Sequence, residues 1–135
     1  MSEAFQIRGG KQLHGEIKPQ GAKNEALQIL CAVLLTGEEV RIKNIPDIHD
    51  VNRLIEILGD FGVKITKNAH GDYTFKADNV NFDYIKSKEF KKDGARLRGS
   101  IMLLGPMLAR FGEAYMPTPG GDKIGRRRLD THFQG

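Results

Sequence analysis

Ala22-Lys-Asn-Glu-Ala-Leu-Gln-Ile-Leu-Cys-Ala-Val-Leu-Leu-Thr36 is the stretch whose reading decides the fold. Ala26, Leu27, Ile29, Leu30, Cys31, Ala32, Val33, Leu34 and Leu35 cover most of a helical circumference. A helix that is apolar nearly all round gains nothing by turning a side to water, so it belongs inside. The pattern predicts a buried helix over 22–36, with Gly37 in the left-handed position that closes it.

Outward from that helix, helices and strands alternate. Upstream, Pro19-Gln-Gly21 breaks the pattern, and residues 5–7 and 12–18 read as short strands around Gly9-Gly10. Downstream, 38–43 alternates with Val40 and Ile42 inward, as a half-buried strand does. Asn44-Ile-Pro-Asp47 is a turn, with Asp47 the expected N-cap of a helix over 48–61. Val51, Leu54, Ile55, Leu58 and Phe61 form its apolar stripe, and Gly62 closes it. Residues 63–67 and 73–77 read as a hairpin turned at Gly71. The lysine-rich stretch 79–94 reads as loop with one helical turn at most. A second strongly apolar helix is expected over 95–111, kinked or divided at Gly105 by Pro106. Gly112 ends it and 113–116 is a short strand, so the order of elements begins again as a repeat would. The class is α/β or α+β rather than an all-β sandwich.

At 135 residues the chain has the size of one domain able to bury a core. Its composition, 39% apolar and 28% charged, is that of a soluble globular protein. The longest apolar run is far too short to cross a bilayer, so no membrane partner is expected. The N-terminus shows no basic region followed by an apolar one, hence no signal peptide. One cysteine, Cys31, excludes an internal disulfide and fits a reducing cytoplasm. The chain stops at Gly135 directly after its most chemically loaded segment, which looks like a truncation.

That segment is Pro117-Thr-Pro-Gly-Gly-Asp-Lys-Ile-Gly-Arg-Arg-Arg-Leu-Asp-Thr-His132, expected to be a loop because of its prolines and glycines. From Pro117 to the end, four cations face two carboxylates, so part of the net charge of +4 is local. Glycines allow close backbone approach, and arginine's planar fork suits phosphate and carboxylate oxygens. These features suit a small anionic ligand. A nucleic-acid surface would want interleaved aromatics, and only Phe133 is near. The run Arg126–Arg128 also reads as a plain solvated patch, and Asp122 as a turn aspartate.

Gly21-Ala-Lys23-Asn24 stands where the first buried helix begins, and a helix start with a lysine is an anion site. Taken alone, Lys23 as a solvated first-turn residue and Asn24 as a cap is the plainer reading. Arg96 and Arg98 begin the second buried helix, and residues two apart cannot both turn inward. His14, His49 and His70 have no metal-ligand spacing, so neither metal nor cofactor is expected.

Together the blocks Gly15-Glu-Ile-Lys…Gly21-Ala-Lys-Asn-Glu-Ala, Asn44-Ile-Pro…Asp50-Val, Arg98-Gly-Ser-Ile…Leu104-Gly-Pro…Ala109-Arg-Phe-Gly and Pro119-Gly-Gly-Asp-Lys-Ile-Gly-Arg-Arg-Arg-Leu-Asp-Thr-His resemble one family. It is the UDP-N-acetylglucosamine 1-carboxyvinyltransferase family, the enolpyruvyl transferases that open peptidoglycan synthesis. In order and spacing the blocks look like its N-terminal portion, about a third of a full-length member. The resemblance implies an inside-out α/β barrel of repeated units, helices inside and sheets outside. Residues 1–21 would pack in a second domain, and 22–135 would be the first part of the domain carrying the catalytic loop.

The reaction implied is phosphoenolpyruvate plus UDP-N-acetylglucosamine giving an enolpyruvyl ether and phosphate, through a tetrahedral ketal. By resemblance Lys23 and Asn24 bind phosphoenolpyruvate, and Arg98 helps hold the substrates. Arg127, followed by Arg128, Leu129, Asp130 and Thr131, forms a substrate-binding strip, and His132 lies near the diphosphate. Arg126 and Arg128 depart from the family's usual Ala-Arg-Pro there. The larger departure is Asp122, where the family's proton donor is a cysteine. A carboxyl with an ordinary pKa of about 3.9 must be raised by roughly three units to donate near neutral pH. Desolvation in a closed, loaded site raises it, and the neighbouring cations lower it. Fosfomycin, which alkylates the family's cysteine, should not trap the less nucleophilic carboxylate. The base and a further arginine would lie beyond Gly135, so the chain alone is expected to be inactive and marginally stable. Two other readings stay open: the sibling 5-enolpyruvylshikimate-3-phosphate synthase, and a non-catalytic module binding anions or nucleic acid.

Overall fold

A computed structural model of the chain describes residues 4–118, 125 and 128–134, with the backbone alone at 132 and 133. The expected buried helix forms as α1, Lys23–Ala32, running into a 3-10 turn at Val33–Leu35. Ala26, Leu27, Leu30, Cys31, Val33 and Leu34 are buried, while Ile29 and Leu35 stay 42% and 51% exposed. Burial is therefore broad rather than all round. Gly37 does not close the helix in the left-handed region; the chain leaves the 3-10 turn through an extended Thr36. A Cβ on Gly37 would stand 3.2 Å from Nη2 of Arg110. That guanidinium donates through Nη1 to the carbonyls of Leu34, Thr36 and Ala77, each at 2.9 Å. It ties the end of the first helical segment to the strands.

Those strands are β1, Glu39–Ile42, β2, Lys64–Ala69, and β3, Asp72–Lys76, in an antiparallel sheet of order β1-β3-β2. The register sets Val40 and Ile65 on either side of Phe75, which is fully buried, so these three give the sheet its inner face. The hairpin turns at Gly71, with φ of 67°, as its spacing predicts. Arg41 and Asp72 brace β1 to β3 through two hydrogen bonds, at 2.9 and 2.7 Å, which hold the Asp72 carboxyl down at about 2.

Between β1 and β2 runs α2, His49–Asp60, burying Val51, Leu54, Ile57 and Leu58. Asp47 does not cap it. Ile48 is the N-cap, without a side-chain bond, and Asp47 instead accepts from the amide of Asn52 at 2.7 Å. The far end closes as expected on Gly62, at φ 92°. The amides of Gly62 and Val63 donate to the carbonyls of Gly59 and Leu58, which caps two orphan acceptors.

The 79–94 stretch is more helical than expected: α3, Phe82–Ile85, and α4, Lys88–Gly94. Asn81 and Ser87 cap them, accepting from the first-turn amides of Asp83 and Phe90 at 3.0 and 3.1 Å. Phe90 meets Phe61 edge-on at 5.1 Å, anchoring α4 to the core. The second apolar segment divides earlier than expected, into a 3-10 stretch at Arg98–Leu103 and α5, Leu104–Phe111. Pro106 then falls in the first turn of α5, where its missing N–H has no helical partner to lose. Gly112 closes α5 in the left-handed region.

Three further expectations fail. Residues 113–116 form no strand, so the expected repeat does not begin among the described residues. Asp130–Gln134 is a short helix, α6, rather than loop. Residues 4–20 form no strand either, because no described segment lies beside them to complete a ladder. The mixed architecture is the one expected, with α1, α2 and the 3-10 segment packed together and the sheet outside them.

Candidate functional site

The start of α1 is built by a close approach. A Cβ on Gly21 would stand 2.0 Å from the carbonyl oxygen of Asn44, so only glycine lets the chain pass there. Asn44 itself has a φ of 60°, which brings its carbonyl across. Ala22 is the N-cap and supplies no side-chain acceptor, so the first-turn amides keep their donors and the helix keeps its positive end. Asn24 is therefore not the cap; it lies exposed within the first turn.

Lys23 is half-exposed, and its Nζ donates to Oδ2 of Asp50 at 2.6 Å. Asp50 stands in the first turn of α2, where the helix's own free amides favour a carboxylate. The sequence reading gave Asp50 no role. Its only signal was its place in the Asp50-Val block, because a partner 27 residues away shows only once α1 and α2 have packed.

The Arg98-Gly99-Ser100 block sorts into structure and site. A Cβ on Gly99 would meet Cδ1 of Leu27 at 3.0 Å, so Gly99 lets the 3-10 segment lie close against α1. Ser100 is fully buried, with its hydroxyl 2.8 and 2.7 Å from the carbonyls of Gly94 and Leu97. Arg98 is half-buried and Arg96 exposed, but the two do not share a helix: Arg96 lies in the turn after α4 and Arg98 opens the 3-10 stretch, so the helical spacing does not decide between them. Leu27 lies one turn after Lys23 on the same helix face. Its contact with Gly99 packs the start of the 3-10 segment, which carries Arg98, against α1.

Asp122 and Arg127 lie outside the described residues, as do Lys123 and Arg126. Nε of Arg128 donates to Oδ2 of Asp130 at 2.6 Å, and Nη2 reaches the same oxygen. Leu129 is half-buried and Thr131 exposed; His132 belongs to α6, its side chain undescribed. Among the described residues, no side-chain hydrogen bond joins this strip to α1.

Beside the start of α1, a shallow cleft of about 90 Å³ is lined by Gly21, Glu25, Ile29, Lys43 and Asn44, among others. Among the described residues no three His, Cys, Asp or Glu gather as a metal site. No described helix is long and apolar enough to cross a membrane.

The free helix start and the Lys23 ammonium held beside it make an arrangement able to bind phosphate or carboxylate. The chain is 60% identical over 132 residues to the UDP-N-acetylglucosamine 1-carboxyvinyltransferase of Bacteroides thetaiotaomicron, covering 98% of this chain and 30% of that one. It is 61% identical to the enzyme of the same name from Bacteroides fragilis, with the same shares. It spans about 30% of the length of these curated relatives. The crystal structure of the enolpyruvyl transferase NikO from Streptomyces tendae superposes with a TM-score of 0.58 at 26% identity, over 78% of this chain and 24% of that one. The family model of EPSP synthase (3-phosphoshikimate 1-carboxyvinyltransferase) matches residues 7–135, so the chain belongs to that family.

Proposed function

We propose that this chain is part of an enzyme transferring the enolpyruvyl group of phosphoenolpyruvate to UDP-N-acetylglucosamine. The observation that carries the reading is the identity of about 60% with relatives named for that reaction. Lys23, with the start of α1, holds an anionic group of phosphoenolpyruvate, and Arg98 helps hold the substrates. Arg127 to Thr131 binds along the substrate, and His132 lies near the diphosphate. Asp122 protonates the methylene carbon of phosphoenolpyruvate. The hydroxyl of the sugar gives its proton to a base in the remainder of the protein, and its oxygen attacks the neighbouring carbon to give a tetrahedral ketal. Loss of a proton from the methyl group and departure of phosphate then restore the double bond. The setting is the cytoplasmic, committed step of cell-wall synthesis that supports cell shape and division. A carboxylate at 122 leaves fosfomycin without its thiol.

Residues 4–20 support the two-domain reading. Phe5, Ile7, Leu13 and Ile17 are 88–96% exposed, a cost that a covering second domain removes. The anion- or nucleic-acid-binding module is the weaker reading, since the cations at α1 serve a small site. Calorimetry on the full-length protein separates the sibling activities. UDP-N-acetylglucosamine should bind and shikimate 3-phosphate should not; the reverse preference would replace this reading with the shikimate enzyme.

A further inference from the structure

We infer that Asp50 is a positioning residue for Lys23, holding its ammonium ready for phosphoenolpyruvate; the inference rests on the function proposed above. Lysine is a flexible four-carbon stem whose ordering costs entropy, and a binding site gains when that cost is met before the ligand arrives. Here the 2.6 Å bond to Oδ2 fixes the end of the stem. The carboxylate is itself held, because it stands in the first turn of a twelve-residue helix packed on α1. An ammonium has three protons to donate, and this bond uses one. Lys23 remains 45% exposed, so the other two are open to an arriving ligand.

The neighbouring charges leave Asp50 free for this task. Arg53, one turn along α2, is occupied by Glu56 at 2.6 Å and by Asp93 of α4. Among the described residues, the hydrogen bonds of Asp50 go to Lys23 alone. The carboxylate also sets an upper limit on anion affinity, since it shares the cation with the ligand. Removing it therefore exchanges order for bare charge, and the sign of the result tests the inference.

The experiment uses the full-length protein and steady-state kinetics for both substrates. Asp50→Asn should raise KM for phosphoenolpyruvate about fivefold, the size of a well-ordered surface pair, with kcat and the KM for UDP-N-acetylglucosamine unchanged. Asp50→Glu should restore most of the loss. In a Lys23→Ala background, Asp50→Asn should add nothing, because its effect runs through the lysine. An unchanged or lowered KM for phosphoenolpyruvate, or a full additional loss in the Lys23→Ala background, overturns the inference. Acetylation of Lys23 by a succinimidyl ester, read by mass spectrometry, reports the pair without turnover and should quicken in Asp50→Asn. Equal labelling rates contradict the pairing itself, whereas a wild-type protein that turns over neither substrate contradicts the proposed function instead.

Discussion

Cys31 is the chain's one thiol, and it is buried on α1 with 1% of its surface exposed. Burial pushes its pKa up to about 12, so it offers no thiolate near neutral pH. The proposed proton donor is instead Asp122, a carboxyl in the glycine loop. That proposal makes a double prediction. Asp122→Asn in the full-length protein should lower turnover by at least about a hundredfold, the usual size of a general-acid contribution. Fosfomycin at ordinary drug concentrations should leave no adduct on residue 122 or residue 31 when the protein is read by mass spectrometry. Wild-type turnover in the Asn variant, or an adduct on Asp122, would remove the carboxyl from the chemistry.

At the scale of elements, the glycines of the matching blocks serve packing before they serve ligands. Gly21 faces the Asn44 carbonyl, which is backbone and cannot swing away, whereas Gly99 faces the methyl end of a leucine side chain. Gly21→Ala should therefore cost about 2 kcal/mol or more, as overpacking does, and Gly99→Ala less. Thermal melts of the two variants check the order; equal midpoints would show that the start of α1 can shift to make room. The same contrast explains what the sequence could and could not reveal. α1, α2 and the hairpin were legible because their apolar period is long enough to count, and because Gly62 and Gly71 mark their turns. α3 and α4 were not, since elements of four and seven residues carry too little periodicity and announce themselves only through Asn81 and Ser87. Pro106 was misplaced because a proline in a first turn and a proline that breaks a helix look alike until the helix start is known. Residues 4–20 alternate like strands, but strands exist only through partners. At the site, Lys23 and Arg98 were visible by residue type and block. The packing of the Arg98 block on α1 was not, because it depends on Leu27 meeting Gly99, and the Asp50 partner depends on two helices docking.

At the scale of the molecule, the chain spans about 30% of the length of its curated relatives, and the site described is correspondingly one wall. Lys23 and the free start of α1 can hold an anion, but the described residues do not enclose one. Phe5, Ile7, Leu13 and Ile17 are exposed, and the proposed second domain would cover them. The proposed function turns on the acceptor, because family membership alone does not separate UDP-N-acetylglucosamine from shikimate 3-phosphate. The decisive measurement is product identity. The full-length protein is incubated with phosphoenolpyruvate and either acceptor, and released phosphate is quantified beside the mass of the product. The account predicts one phosphate per enolpyruvyl ether of UDP-N-acetylglucosamine, and none with shikimate 3-phosphate. Phosphate release that depends on shikimate 3-phosphate, with UDP-N-acetylglucosamine recovered unchanged, would contradict it.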